Sequence, residues 1–159
     1  MATWMVVEDE PNIYELLMAM FDMWGIAGRA FIDGEEAISW IDDVDRDLYK
    51  GDLPELVLLD LRLPGDVQGT DVGERLRESQ KLSLVPIVVI TAFTFSAEDR
   101  EEIERRVQPD LWLEKPLPKF NQLQSVLEET IAKRREKTRN AAPAPVVTPR
   151  RRGPRRRTS

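Results

Sequence analysis

The run Leu56-Val57-Leu58-Leu59 is apolar at every position and is followed at once by Asp60; Pro86 to Ile90 repeats the pattern ahead of Thr91. A strand with one face in water alternates apolar and polar residues, so a run without alternation is covered on both faces. That calls for a parallel sheet with helices on both sides. The N-terminus supplies a matching unit. Trp4-Met5-Val6-Val7 is a short apolar run ended by Glu8-Asp9-Glu10-Pro11, the pattern of a buried strand that meets a loop and then a helix with proline in its first turn. Ile13, Leu16, Leu17, Met20, Phe21 and Trp24 follow at spacings of three and four, one apolar stripe on a helix that stops near Gly25.

The alternation of strand and helix continues to residue 135. Ile26 to Ile32 reads as a weaker second strand, and Asp33-Gly34-Glu35-Glu36 has the spacing of a capping box ahead of Ala37, Ile38, Trp40 and Ile41. The acidic stretch Asp42 to Asp52 reads as a frayed helix end and a long loop. Pro64, Gly65 and Gly69 mark the loop after the third strand, and Val72, Leu76 and Leu82 belong to the third helix or its end. Ser96 to Val107 is helical by propensity with only Ile103 and Val107 as large apolar anchors, so it is expected to be the most loosely held helix. Leu111-Trp112-Leu113 is a fifth strand, and Phe120, Leu123, Val126, Leu127 and Ile131 form the stripe of a closing helix. Five such units predict an α/β fold, a doubly wound five-stranded parallel sheet in three layers with the flavodoxin-like order 2-1-3-4-5, over residues 1–135.

The chain of 159 residues holds no cysteine and no histidine, which removes disulfides, zinc sites, Ser-His-Asp triads and thiol nucleophiles. No apolar run approaches the ~20 residues of a membrane span, and Met1-Ala2-Thr3-Trp4 is not a charged leader with an apolar stretch, so a cytoplasmic protein is expected. The formal net charge of −6 is a cancellation: it is −16 up to Ala132 and +10 after it. Residues 136–159, with Ala142-Pro143-Ala144-Pro145 and the triplets Arg150–Arg152 and Arg155–Arg157, lack periodicity and are expected to form a basic, disordered tail. Three roles are open to it: an inert solvated extension, a salt-sensitive binder of nucleic acid, anionic lipid or an acidic partner, or an intramolecular contact with the acidic domain.

In an open α/β sheet, ligands bind at the carboxyl ends of the strands. Here those ends carry Glu8 and Asp9, Asp60, Thr91, and Lys115 from the segment Glu114-Lys115-Pro116. Parallel strands bring them to one edge. Three carboxylates together repel and are costly to bury, and a hard divalent cation such as Mg²⁺ removes that penalty. The set suits phosphoryl transfer to a carboxylate: Asp60 as nucleophile, Lys115 as a second cation, Thr91 as a hydroxyl for a phosphoryl oxygen, and Ala92 leaving room.

Residues 3 to about 135 resemble a response-regulator receiver domain of two-component signalling. The resemblance rests on Val6-Val7-Glu8-Asp9-Glu10-Pro11, Leu58-Leu59-Asp60-Leu61-Arg62-Leu63-Pro64-Gly65, Ile90-Thr91-Ala92 and Lys115-Pro116, in the family's order. It implies that Asp60 is the phosphoacceptor, that Glu8, Asp9, Asp60 and the Arg62 backbone carbonyl form the Mg²⁺ site, and that Thr91 is the switch hydroxyl. Lys115 becomes the phosphate-binding lysine, ahead of a cis peptide to Pro116. Trp112 stands where the family has its aromatic switch residue, usually Tyr or Phe. Arg62 and Phe93 occupy the two variable positions beside the site and are expected to screen an acyl phosphate from water. The resemblance further implies a histidine kinase or phosphotransfer partner, and a protein target or homodimer contact on helix 4, strand 5 and helix 5. No recognisable output domain follows, and no catalysis is expected beyond phosphorylation and dephosphorylation of its own Asp60. Aspartyl phosphatases need a second Asp two residues after the nucleophile, where this chain has Arg62. No glycine-rich phosphate loop is present, which speaks against a nucleotide substrate. A phosphorylation-independent adaptor, or a nucleic-acid binder acting through the arginine-rich tail, is the alternative.

Overall fold

The apolar runs are the strands of a computed structural model that describes residues 1–141. The order along the chain is β1 (Thr3–Val7), α1 (Pro11–Met23), β2 (Ala27–Phe31), α2 (Gly34–Asp45), β3 (Leu56–Asp60), α3 (Gly69–Glu78), β4 (Ile87–Thr91), α4 (Ala97–Val107), β5 (Leu111–Glu114) and α5 (Phe120–Ala141). All neighbouring strands pair in parallel, in the order β2-β1-β3-β4-β5. The central strands β1, β3 and β4 are buried at every position, as continuous apolar runs require.

Because successive side chains point to opposite faces, each strand feeds two cores. Met5, Val7, Val57, Leu59, Ile87 and Val89 pack with Trp40, Val72, Leu76 and Val107 under α2, α3 and α4. Trp4, Val6, Leu56, Leu58, Val88 and Ile90 pack with Leu17, Phe21, Leu123 and Leu127 under α1 and α5. The result is the expected three-layer, flavodoxin-like arrangement.

Two local expectations are refined. Asp33 caps α2 by accepting from the Glu36 amide at 2.8 Å, while the reciprocal capping box lies at α3, where Gln68 and Asp71 cap each other's backbone. α4 does bury only Ile103 and Val107, yet Arg106 ties it to Asp71 and Glu74 of α3 at 2.8 Å each. One boundary is corrected. Residues 136–141, expected in the tail, continue α5. The helix runs on because Arg134 donates to the Leu84 carbonyl at 3.2 Å and Arg135 pairs with Glu55 at 3.2 Å, which fix it to loops that the apolar stripe does not reach. The remainder of the expected disordered tail, with both arginine triplets, lies outside the described residues.

Candidate functional site

Parallel register sets the site. Asp60 closes β3 opposite Ile90, and Thr91 closes β4 opposite Glu114, so the carboxyl ends of three adjacent strands finish level. The backbone after Asp60 is then held tightly. The Gly69 amide donates to the Leu61 carbonyl at 3.0 Å, and a Cβ at Gly69 would overlap the Asp60 carbonyl oxygen, so α3 can start only with glycine there. Gln68 accepts from the Leu63 amide at 3.1 Å and donates to the carbonyls of Leu63 and Gly65 at 2.9 and 3.0 Å. The long loop after Asp60 is therefore stitched shut by one side chain, and Arg62 leaves it in a fixed direction.

Glu8, Asp9 and Asp60 each place a carboxylate oxygen within 4.8 Å of the others. Glu8 is fully buried and Asp60 is 4% exposed. Lys115, which follows β5 directly and precedes a cis peptide to Pro116, sends Nζ to Glu8 at 3.0 Å, Asp60 at 3.1 Å and Glu10 at 3.2 Å. Glu8 Oε1 accepts from the Glu10 amide at 3.1 Å, and Asp60 Oδ1 from the Arg62 amide at 3.1 Å. Glu8 Oε2 is buried without a hydrogen bond, since Lys115 lies close to it but off the bonding direction.

The electrostatics follow from that imbalance. Burial pushes the Glu8 carboxyl up to about 7; Lys115 and the Glu10 amide oppose this, and the neighbouring Asp60 charge adds to it. Burial alone would lower Lys115, but its close pairing with Glu8 and the charges of Asp60 and Glu8 prevail and hold it above the ordinary lysine range. One ammonium cannot neutralise three carboxylates, and a buried acceptor is left over. Hard oxygen donors, negative charge and an orphaned lone pair are the donor set of a divalent cation such as Mg²⁺.

The other expected residues stand at the rim. The Thr91 hydroxyl is turned into its own loop, accepting from the Phe93 amide at 3.0 Å, and contacts neither Asp60 nor Lys115 by hydrogen bond. Arg62 lays its guanidinium 3.9 Å above the centre of the Phe93 ring, and Phe93 itself is 46% exposed. Trp112 is turned toward α4, where its Nε1 donates to Glu104 at 2.7 Å, Arg100 covers its face at 4.3 Å and Phe95 meets it edge-on at 6.2 Å. The reach of Glu10 to Lys115 was not legible beforehand; its place two residues after Glu8, just ahead of Pro11, is the only signal for it.

Among the described residues, no helix is long and apolar enough to cross a membrane. Comparison with known proteins agrees with the geometry. The response regulator receiver domain profile matches residues 4–128. A probable methanogenesis regulatory protein, FilR2, of Methanothrix harundinacea is 34% identical over 130 residues, covering 79% of this chain and 78% of that protein. The polar-differentiation response regulator DivK of Brucella ovis is 28% identical over 118 residues, covering 73% and 87% respectively. The receiver domain of a sensor histidine kinase from Pseudomonas aeruginosa superposes with a TM-score of 0.67 at 26% identity, covering 82% of this chain and 98% of that one; it was solved with a magnesium ion coordinated in its active-site cleft. With five strands in this order, an acidic cluster at their carboxyl ends and a profile match over most of its length, the chain belongs to the response-regulator receiver-domain family.

Proposed function

We propose that Asp60 accepts a phosphoryl group from a histidine kinase or a histidine phosphotransfer protein. The observation that carries this reading is the surplus of buried carboxylate around Asp60, with Glu8 Oε2 left unbonded against a single lysine. Glu8, Asp9, Asp60 and the Arg62 carbonyl would hold Mg²⁺, which neutralises charge on the phosphoryl oxygens when bound. An Asp60 carboxylate oxygen attacks phosphorus, the P–N bond to the donor imidazole breaks, and the electron pair leaves with the ring nitrogen. Lys115 then passes from the Asp60 carboxylate to the new phosphoryl oxygens. Thr91 gives up its loop bond to reach another of them, and Trp112, on the neighbouring strand, relays the change to α4.

Arg62 stacks on Phe93, two residues past Asp60 and Thr91 respectively, and in this reading the pair serves as a roof over Asp60 that gives a long-lived phosphoryl state. The only chemistry assigned to the protein is the making and breaking of its own acyl phosphate. Its output is a protein contact on α4, β5 and α5, homodimerisation included, in the cytoplasm.

Incubating the protein with acetyl phosphate and Mg²⁺ and reading intact mass tests the core of this reading. The wild type should gain one phosphoryl group and Asp60→Ala none; a wild type that never gains mass overturns it. In a chase after donor removal, Arg62→Ala should lose the label severalfold faster, and an unchanged rate removes the roof from the account.

A further inference from the structure

At the amino edge of the sheet, opposite the acidic site, a groove of about 490 Å³ runs between the end of α5 and the loops that lead into β3 and β4. Leu53, Leu84, Pro86 and Ile131 are among the residues that line it. Leu84 is 59% exposed and Leu53 37%, so the groove is an apolar surface open to water. Thr138 and Arg139 form its rim, which puts the groove beside the point where the chain leaves α5.

The sequence that follows α5 fits this surface in composition and in reach. Ala142-Pro143-Ala144-Pro145-Val146-Val147-Thr148-Pro149 is the one apolar stretch between α5 and the arginine triplets. Proline-rich apolar sequence suits such grooves because few of its backbone donors need partners and little freedom is lost on docking. Arg134, which bonds the Leu84 carbonyl, precedes Ala141 by two helical turns, about 10 Å along the axis. Six residues beyond Ala141 span up to about 20 Å, enough to bring Val147 back to Leu84.

One charge beside the groove is open to the same segment. The lining pairs Glu55 with Arg135 and also holds Lys81, Arg134 and Arg139, whereas Asp52, exposed next to Leu53, makes no ion pair among the described residues. Arg150–Arg152 begin three residues after Val147. We propose that the chain's own segment Val146–Arg152 docks in this groove, with Val146 and Val147 against Leu53 and Leu84 and the first arginine triplet against Asp52. Tethering this close gives an effective concentration on the order of millimolar, so each contact can be weak.

The chain has no cysteine, which makes the test direct. Two full-length variants are compared in a glutathione redox buffer at low protein concentration: Leu84→Cys with Val147→Cys, and Lys133→Cys with Val147→Cys. Lys133 is 73% exposed, one residue before Arg134, and lines the opposite side of α5. Both partners therefore sit beside the same turn of α5, on its two sides. The expected result is an intramolecular disulfide, read by intact mass, whose effective concentration is at least tenfold higher for the Leu84 pair. Replacing Arg150, Arg151 and Arg152 by Ser in that variant should lower it severalfold at low salt. Equal closure of the two pairs overturns the proposal, as does a Leu84 pair that closes only between molecules, which would assign the groove to another copy's segment. Insensitivity to the arginine replacements overturns the electrostatic half.

Discussion

Two places among the described residues withdraw charge from water, and the two are built oppositely. Around Arg77, on the α3–α4 side, everything is paired. Its Nε donates to the Val107 carbonyl at 2.8 Å, Nη1 to Ser83 and Val85 at 2.9 and 2.6 Å, and Nη2 to Gln108 and the Asp110 carboxylate at 2.8 and 3.3 Å. Asp110 in turn accepts from the Ile87 amide at 2.9 Å and pairs with Arg134 at 3.3 Å. Around Asp60 the same kinds of group are out of balance, with acceptors in surplus. A satisfied buried network fastens the elements it joins; an unsatisfied one keeps acceptors in surplus, the donor set that suits a hard cation.

The largest effect that tests this contrast is at Arg77. Burial and the nearby Arg134 charge push its guanidinium down to about 10, against the pull of Asp110, yet it stays charged at neutral pH. Arg77→Ala leaves four carbonyls without their donor and takes one of three partners from Asp110, and should cost about 3–5 kcal/mol in urea unfolding. A loss below about 1 kcal/mol would erase the difference between the two regions. Glu8→Gln should act in the opposite direction. The folded Glu8 value lies above the unfolded one of 4.5, so the contribution it makes in acid is lost as pH rises toward 7. At pH 8 with a chelator, Glu8→Gln should therefore raise stability, by on the order of 2 kcal/mol, and abolish the stabilisation that Mg²⁺ gives the wild type. Thermal melts with and without Mg²⁺ read both, and a destabilised variant in chelator would contradict the surplus.

The smallest effect belongs to another balanced position. Asp45 is partly buried, which works against its charge, but Ser79 and Arg75 at 2.7 Å each and the Lys81 amide hold its carboxyl below the ordinary range. A depressed carboxyl contributes stability above its unfolded value of 3.8 and loses it as pH falls through the folded value. Asp45→Asn should cost about 1 kcal/mol at pH 7 and progressively less below pH 4. A gap that stays constant in acid would show that the ion pair contributes nothing.

These contrasts also explain what the sequence disclosed. Glu8, Asp9, Asp60 and Lys115 could be placed together because each ends an apolar strand, and strand ends converge wherever strands are parallel. Thr91 was placed at the same edge for the same reason, but the direction of its hydroxyl is fixed by the Phe93 amide, which no spacing reveals. Arg77 gave no signal at all. Four of its five acceptors are backbone carbonyls, two at the end of α4 and two in the loop before β4, and a carbonyl has no letter in a sequence. The extension of α5 to Ala141 and the polar fastening of α4 by Arg106 escaped a reading of apolar stripes for the same reason. Tyr49 shows it again. In a segment read only as loop, it meets Trp40 edge-on at 5.2 Å and accepts a bond from Arg29 at 3.0 Å, so that loop folds back over β2.

Trp112 has one more consequence, and it is optical. The indole N–H groups of Trp4, Trp24 and Trp40 are buried without a partner, whereas that of Trp112 is bonded to a carboxylate and its ring lies beneath a guanidinium. Indole emission is governed by the polarity and charge around the ring, so three of the four chromophores form a steady background and the fourth reports its own surroundings. The protein thus carries an unlabelled fluorescent gauge of the contact between β5 and α4, readable in real time as phosphodonor is added.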